Sequence, residues 1–187
     1  MRVFITGTPG TGKSTIARAL SKVLRAKIVE LSRVAMAEGL IEEYDEDRKT
    51  GVVKAEKLKR ALLNYLRGDK IIIVGHMVEA VPKDLVDLVV VLRLHPLRLR
   101  ERLKKRDFPE VKVRENVEAE LLDYILIEAV KLFGKDKVVE VDITDKDAEE
   151  ALKLVLRALF KPEDFKPGKV DWISKLESEG TLNIVLQ

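Results

Sequence analysis

Along the chain the hydrophobic positions change period repeatedly, and each change marks an element. Val3 to Thr6 is a short β-rich run stopped at Gly7, a first strand. From Lys13 the spacing turns helical, with Ile16, Leu20, Val23 and Leu24 on one face. Ala26 to Leu31 predicts a second strand, and Met36 with Leu40 a short helix ending near Gly39. The stretch from Glu42 to Gly51 is polar and charge-dense and predicts a loop. Helical spacing returns at Ala55, Leu58, Leu62 and Tyr65, with Gly68 as its stop.

Ile71-Ile72-Ile73-Val74 is a continuous β-branched run, as expected of a strand buried on both faces, and Leu88 to Leu92 is another. Pro96 opens a helix carrying Leu99 and Leu103. A longer helix is predicted from Arg114 to Phe133, with Gly134 after its end, and a fifth strand from Val138 to Val141. Thr144 and Asp147, at capping-box spacing, precede a helix bearing Ala151, Leu152, Val155 and Leu159. Strands and helices alternating this regularly predict an α/β fold, a mostly parallel sheet with helices on both faces. After Phe160 the texture changes: Lys161-Pro162 and Lys166-Pro167-Gly168 break regular structure, and Trp172, the single Trp, follows. The expected organisation is a domain over residues 1–160 and a tail over 161–187. The tail is either an appendage docked through Trp172 or a partner-binding segment.

Composition narrows the classes. The 187 residues are 46% hydrophobic, enough for the core of one ordinary domain. Lys and Arg number 35 against 32 Asp and Glu, so the net charge of +3 is only a mild basic bias. Aromatics at 5% form no stacking array, and the chain carries no strong direct nucleic-acid signal. With no Cys there is no disulfide framework, thiol nucleophile or Cys-bound zinc, and two His argue against a His-rich metal site. No apolar stretch reaches the roughly 18–20 residues of a membrane span, and no secretory leader is visible, so a cytoplasmic protein is expected. Abundant Lys and Glu give it a thermophile's composition.

The chemistry begins at Gly7-Thr8-Pro9-Gly10-Thr11-Gly12-Lys13-Ser14-Thr15, which matches G-x-x-x-x-G-K-[ST] between a predicted strand and a predicted helix. Gly10 and Gly12 allow backbone angles that aim successive N–H groups into one concavity, and the helix start at Lys13 to Thr15 adds its partial positive charge. Lys13 is expected at the β- and γ-phosphates and the Ser14 hydroxyl on Mg²⁺. Such a loop binds a nucleoside triphosphate. No N-K-x-D guanine signal occurs, so ATP is the expected donor.

Further segments carry a resemblance: Leu31-Ser32-Arg33, Glu43-Tyr44-Asp45-Glu46, Ile73-Val74-Gly75-His76, Val90-Val91-Leu92-Arg93, Glu101-Arg102-Leu103-Lys104-Lys105-Arg106 and Asn116-Val117-Glu118-Ala119-Glu120. In order, up to about Phe160, the chain resembles the atypical adenylate kinases of archaea and eukaryotes (adenylate kinase isoenzyme six). That resemblance implies a P-loop NTPase fold with three α/β/α layers, a five-stranded parallel sheet of order 2-3-1-4-5 and a short lid. It implies ATP + AMP ⇌ 2 ADP, an ATPase activity and Mg²⁺. It also implies binding to a platform protein of the small ribosomal subunit, with a role in maturation of small-subunit rRNA.

On this reading residues 30–53 hold the acceptor monophosphate, with Arg33 on its phosphate, and residues 101–111 form the lid. Arg102 and Arg106 share a helix face at i, i+4, and Arg's planar fork suits phosphate clamping. The resemblance places Arg102 on ATP and gives His76, just after a buried strand, a part in hydrolysis. His95 reads as a turn or helix-cap residue. One departure stands out: eukaryotic members carry an Asp two residues before the matching His, where this chain has Val74. Asp87 precedes its strand and falls at the wrong end to replace it. Glu79, Asp45 and Glu46 remain open as acids near the metal. A kinase of another small acceptor is the alternative.

Overall fold

The computed structural model describes residues 1–186. Five parallel strands form the central sheet: β1 (Arg2–Thr6), β2 (Lys27–Glu30), β5 (Ile71–Val74), β6 (Leu88–Arg93) and β7 (Val138–Asp142), in spatial order β2-β5-β1-β6-β7. Counting only these five, the order is the expected 2-3-1-4-5. Between β2 and β5 the chain inserts a hairpin, β3 (Ile41–Asp45) with β4 (Thr50–Val53).

Alternate residues of each strand face opposite layers, which is what a sheet covered twice requires. Val3, Ile5, Ile72, Val74, Val90 and Leu92 point to one face, under α1 (Lys13–Leu24) and α7 (Ala148–Phe160). Phe4, Ile71, Ile73, Val89 and Val91 point to the other, under α2 (Leu31–Ala37), α3 (Ala55–Leu62) and α6 (Tyr124–Phe133). A third cluster lies beside the sheet. There α4 (Pro96–Lys104) and α5 (Glu110–Leu121) pack with α8 (Trp172–Ser178) and α9 (Leu182–Leu186), around Leu99, Leu103, Val117, Trp172 and Leu176.

Several local expectations change. Residues 42–51 are a hairpin, not a loop, because the turn at Asp45–Arg48 closes on itself: Asp45 accepts from the Arg48 amide at 2.9 Å, and Lys49 takes φ 46°. Leu31 belongs to α2 rather than β2, since Glu30 is already the helix's N-cap. The helix expected over 114–133 is broken: α5 ends at Leu121, Asp123 adopts φ 56°, and α6 restarts at Tyr124. That break brings the Asp123 carboxylate onto Arg93. The capping box before α7 is Asp147 with Glu150, not Thr144 with Asp147. Thr144 instead accepts the His95 amide at 2.9 Å. His95 is the N-cap residue of α4, with its ring 3.0 Å from Glu179.

Candidate active site

The loop of residues 7–15 leaves β1 at the C-terminal edge of the sheet, where doubly wound sheets hold their ligands. Gly7 has φ 136°, and a Cβ there would stand 2.5 Å from the Leu92 carbonyl of β6. Gly10, with φ 97°, would push a Cβ to 2.8 Å from both Leu99 and Leu103. The loop is therefore wedged between its neighbouring strand and α4, in space only glycine leaves free. Gly12, in the left-handed region, caps α1, and its carbonyl accepts the first helical amides, from Thr15 and Ile16, at 3.1 Å each.

The Thr8 peptide is a node inside the loop. Its carbonyl accepts from the Thr11 amide at 3.2 Å, the Thr11 hydroxyl at 2.9 Å and Lys13 Nζ at 2.9 Å. Lys13 Nζ also donates to the Gly7 carbonyl at 2.8 Å. Burial pushes the Lys13 ammonium down to about 7. Glu120 opposes that shift, and Arg106 adds to it. An ammonium so poorly compensated is disposed to take polyphosphate as its counterion.

Two clefts meet at this loop. The first, about 360 Å³, is bounded by Lys13, Ser14, Glu30, Ser32, Val74 and His76. Its outer wall is α2 and the hairpin, with Leu31, Met36, Ile41, Val53 and Leu58 giving an apolar lining. The second, about 350 Å³, opens on the other side of the loop among Gly12, Thr15, Arg102, Arg106, Ile143 and Lys146. Each has the size of a small-ligand site. The hairpin is clasped to α5: Arg48 Nε lies 3.1 and 3.0 Å from the two Glu115 oxygens.

The predicted residues therefore distribute unevenly. Lys13, Ser14 and His76 line the first cleft, and Gly12, Thr15, Arg102 and Arg106 the second. Gly10 stands behind both, against α4. Arg33 lines neither cleft; its side chain is 77% exposed and pairs with Glu30 at 3.1 Å on the rim. His76 is exposed to solvent while lining the first cleft. The surrounding protein, then Lys13 and Lys112, hold its imidazole below the usual histidine range. Of the expected lid over 101–111, residues 101–104 belong to α4 and 110–111 to α5, and residues 105–109 join the two helices, with Asp107 at φ 54°.

Among the described residues, no three His, Asp, Glu or Cys side chains converge as a metal cage. Asp45 is occupied by Arg48, and neither Glu46 nor Glu79 lines a cleft. Asp87 accepts the Arg2 amide at 2.8 Å, at the edge opposite the loop. The acid that shares the first cleft with Ser14 is Glu30. One hydroxyl beside an ammonium fits Mg²⁺, an ion that keeps most of its water and takes its other ligands from phosphate.

Sequence reading missed two residues behind the loop. Glu120 of α5 is 2% exposed, and its carboxylate accepts the Thr8 hydroxyl at 2.6 Å. Arg93, 1% exposed, pairs with Glu120 at 2.8 Å and also with Asp123 and Glu140. Both residues lie in segments that carried the resemblance, but nothing in their spacing announced a buried network.

Residues 3–123 match a family model described as "AAA domain". A protein of Pyrococcus furiosus named "Putative adenylate kinase" is 38% identical over 177 residues, covering 95% of this chain and 94% of that protein. One of Methanocaldococcus jannaschii with the same name is 36% identical, covering 98% and 99%. Among solved structures, shikimate kinase from Aquifex aeolicus superposes with TM-score 0.57 at 23% identity, covering 87% of this chain and 98% of that one. A gluconokinase from Sinorhizobium meliloti gives 0.54 at 19%, covering 87% and 93%. These two structures share the fold.

Proposed function

The chain belongs to the P-loop family of the archaeal adenylate kinases, as a nucleoside monophosphate kinase, and from that premise we propose how its two clefts divide the reaction. ATP occupies the cleft of Gly12, Thr15, Arg102 and Arg106, and AMP the cleft of Ser14, Glu30 and His76. The phosphoryl group passes between them over Lys13, giving ATP + AMP ⇌ 2 ADP. The observation that carries this reading is the pair of similar clefts meeting on opposite sides of residues 12–15.

Catalysis on this reading is positioning and charge neutralisation. Lys13 exchanges its two loop carbonyls for phosphate oxygens. Arg102, near the end of α4, and Arg106, in the turn that follows it, bracket the chain of phosphates on the donor side. The Ser14 hydroxyl would hold Mg²⁺, which when bound would supply charge neutralisation to the phosphates. Arg33 takes the AMP phosphate by leaving Glu30. The apolar wall of the acceptor cleft favours a flat nucleobase over a polyhydroxylated carboxylic acid, which argues against an acceptor of that kind. Arg33→Ala should raise the KM for AMP about tenfold and leave that for ATP unchanged, a loss expected for one charge-assisted contact.

The short lid supports ATP hydrolysis when AMP is absent, because incomplete exclusion leaves water to compete for the γ-phosphoryl group. Phosphate release from ATP and Mg²⁺ alone should exceed that of Lys13→Ala; equal rates would remove this activity. The resemblance supports a cytoplasmic role in small-subunit rRNA maturation through a platform ribosomal protein. Pull-down of such a protein by the chain, with release on adding ATP, tests that part. No helix among the described residues is long and apolar enough to cross a membrane. The decisive assay for the kinase reading is ADP formation from ATP with AMP, inhibited by two adenosines joined through five phosphates. Absence of phosphoryl transfer to AMP or any other monophosphate would refute it.

A further inference from the structure

The Glu120 carboxylate collects four donors from three distant parts of the chain. They are the Thr8 hydroxyl at 2.6 Å, Arg93 Nε at 2.8 Å, the Leu94 amide at 3.2 Å and Trp172 Nε1 at 3.0 Å. Trp172 opens α8 in the C-terminal segment and is 1% exposed. The same segment is fastened a second time: Glu140 accepts the Gly168 amide at 2.9 Å and the Lys169 amide at 3.0 Å. Arg93 bridges the two carboxylates. The tail is thus built into the polar network behind the phosphate-binding loop.

We propose that Glu120 is a positioning residue for the phosphate-binding loop, and that Trp172 of the C-terminal segment sets its position, making the tail a working part of the nucleotide site. The proposal rests on residues 7–15 holding the phosphates of ATP. Thr8 is the residue whose carbonyl gathers both Thr11 donors and Lys13, so the orientation of its peptide decides where the ammonium stands. Glu120 pins that residue through its side chain. The carboxylate cannot follow a moving Thr8 without surrendering Arg93, Leu94 or Trp172, and buried acceptors do not give up donors cheaply. Two of those three donors belong to the end of β6 and the residue after it, a rigid frame. The third belongs to the tail, and it is the one that a change in tail packing can withdraw. Gly10 gives the same face of the loop an apolar seat on Leu99 and Leu103, in the cluster that Trp172 also joins.

The test uses the full chain and reads ATP·Mg²⁺ binding by titration calorimetry, which needs no acceptor. Trp172→Phe keeps the ring and removes the N–H donor; Thr8→Val keeps the shape and removes the hydroxyl. Each should weaken ATP binding about tenfold while AMP binding stays unchanged, and the double variant should be no weaker than the weaker single. Glu120→Gln, which keeps an acceptor oxygen, should fall between wild type and Thr8→Val. A merely structural role predicts a lower melting temperature with unaltered ATP affinity in the folded protein, and that result, or single effects that multiply in the double, overturns the proposal. As the chain's single Trp, Trp172 also reports directly. ATP should change its emission in wild type and not in Thr8→Val, which remains informative if Trp172→Phe does not fold; an equal change in both overturns the coupling. If wild type fails to bind ATP, the reading of the loop itself falls, which the calorimetric trace of wild type alone reveals.

Discussion

Replacing Arg93 with Met is the sharpest test of what holds the site together. Arg93 is 1% exposed at the end of β6 and is the single cation drawn onto three carboxylates, Glu120, Asp123 and Glu140. Its guanidinium also donates to the Glu120 carbonyl at 3.1 Å and lies 5.7 Å from the Trp172 ring. Met matches the stem but removes the cation that pairs directly with the buried Glu120 and Glu140 carboxylates. Breaking a buried pair by removing one partner costs about 3–5 kcal/mol, because an uncompensated charge stays behind. At about 2–4 °C per kcal/mol for a chain of this size, the melting temperature should fall by about 6–20 °C. Thermal unfolding followed by circular dichroism measures it. Since the cause is stranded negative charge, the deficit should narrow as pH falls toward the carboxylate range. Arg98→Met, which breaks an exposed 3.1 Å pair with Asp145, is the control and should shift nothing measurable. If Arg93→Met melts within about 2 °C of wild type, the pairs at Arg93 are close to energetically neutral and the reasoning fails.

Other predictions follow the same logic. Gly7→Ala should destabilise more than Gly10→Ala, because the new methyl meets a backbone carbonyl at 2.5 Å in one case and two movable leucine methyls at 2.8 Å in the other; comparative melting ranks them. Lys13 is lowered to about 7, so between about 7 and its ordinary 10.5 the folded chain binds fewer protons than the unfolded one. Stability without nucleotide should therefore rise with pH through that window in wild type and not in Lys13→Met. Phosphates restore the ammonium, so ATP binding at pH 8 should take up a proton, seen as a dependence of the binding heat on buffer ionisation enthalpy that vanishes near pH 6; no uptake at pH 8 would contradict the shift. His76→Asn should reduce ATP hydrolysis without AMP while leaving ATP affinity unchanged, checked by phosphate release and calorimetry.

Much of this architecture was legible in periodicity. Ile71–Val74 and Leu88–Leu92 read as doubly buried strands because both of their faces are apolar, and they stand in the sheet interior. The hairpin over 41–53 was not legible, because most of β3 is exposed and carries no alternation for a buried face to impose. The single helix expected over 114–133 failed at Asp123, whose left-handed turn is held by a distant arginine rather than by any local signal. By spacing alone Arg102 and Arg106 fit a solvated basic face, and the resemblance singled them out; Arg106 falls in the turn after α4 rather than on the helix itself. Arg33 shows the limit of that logic, for it lies beside the acceptor cleft in sequence and faces outward in space.

What the residues determine by themselves is local. Gly7, Gly10, Gly12, Lys13 and Ser14 specify a phosphate-binding turn because backbone freedom and one ammonium are properties of adjacent positions. What only the tertiary structure decided is which distant groups stand behind that turn. Glu120 sits among charged neighbours on α5 and would pass for a solvated residue; it becomes buried because α5 packs against α4 and the Trp172 segment. Hydrogen bonds spanning 112 residues to Thr8 and 52 to Trp172 leave no periodic trace along the chain. Burial and pairing depend on the folded neighbourhood, and short-range spacing carries no information about it.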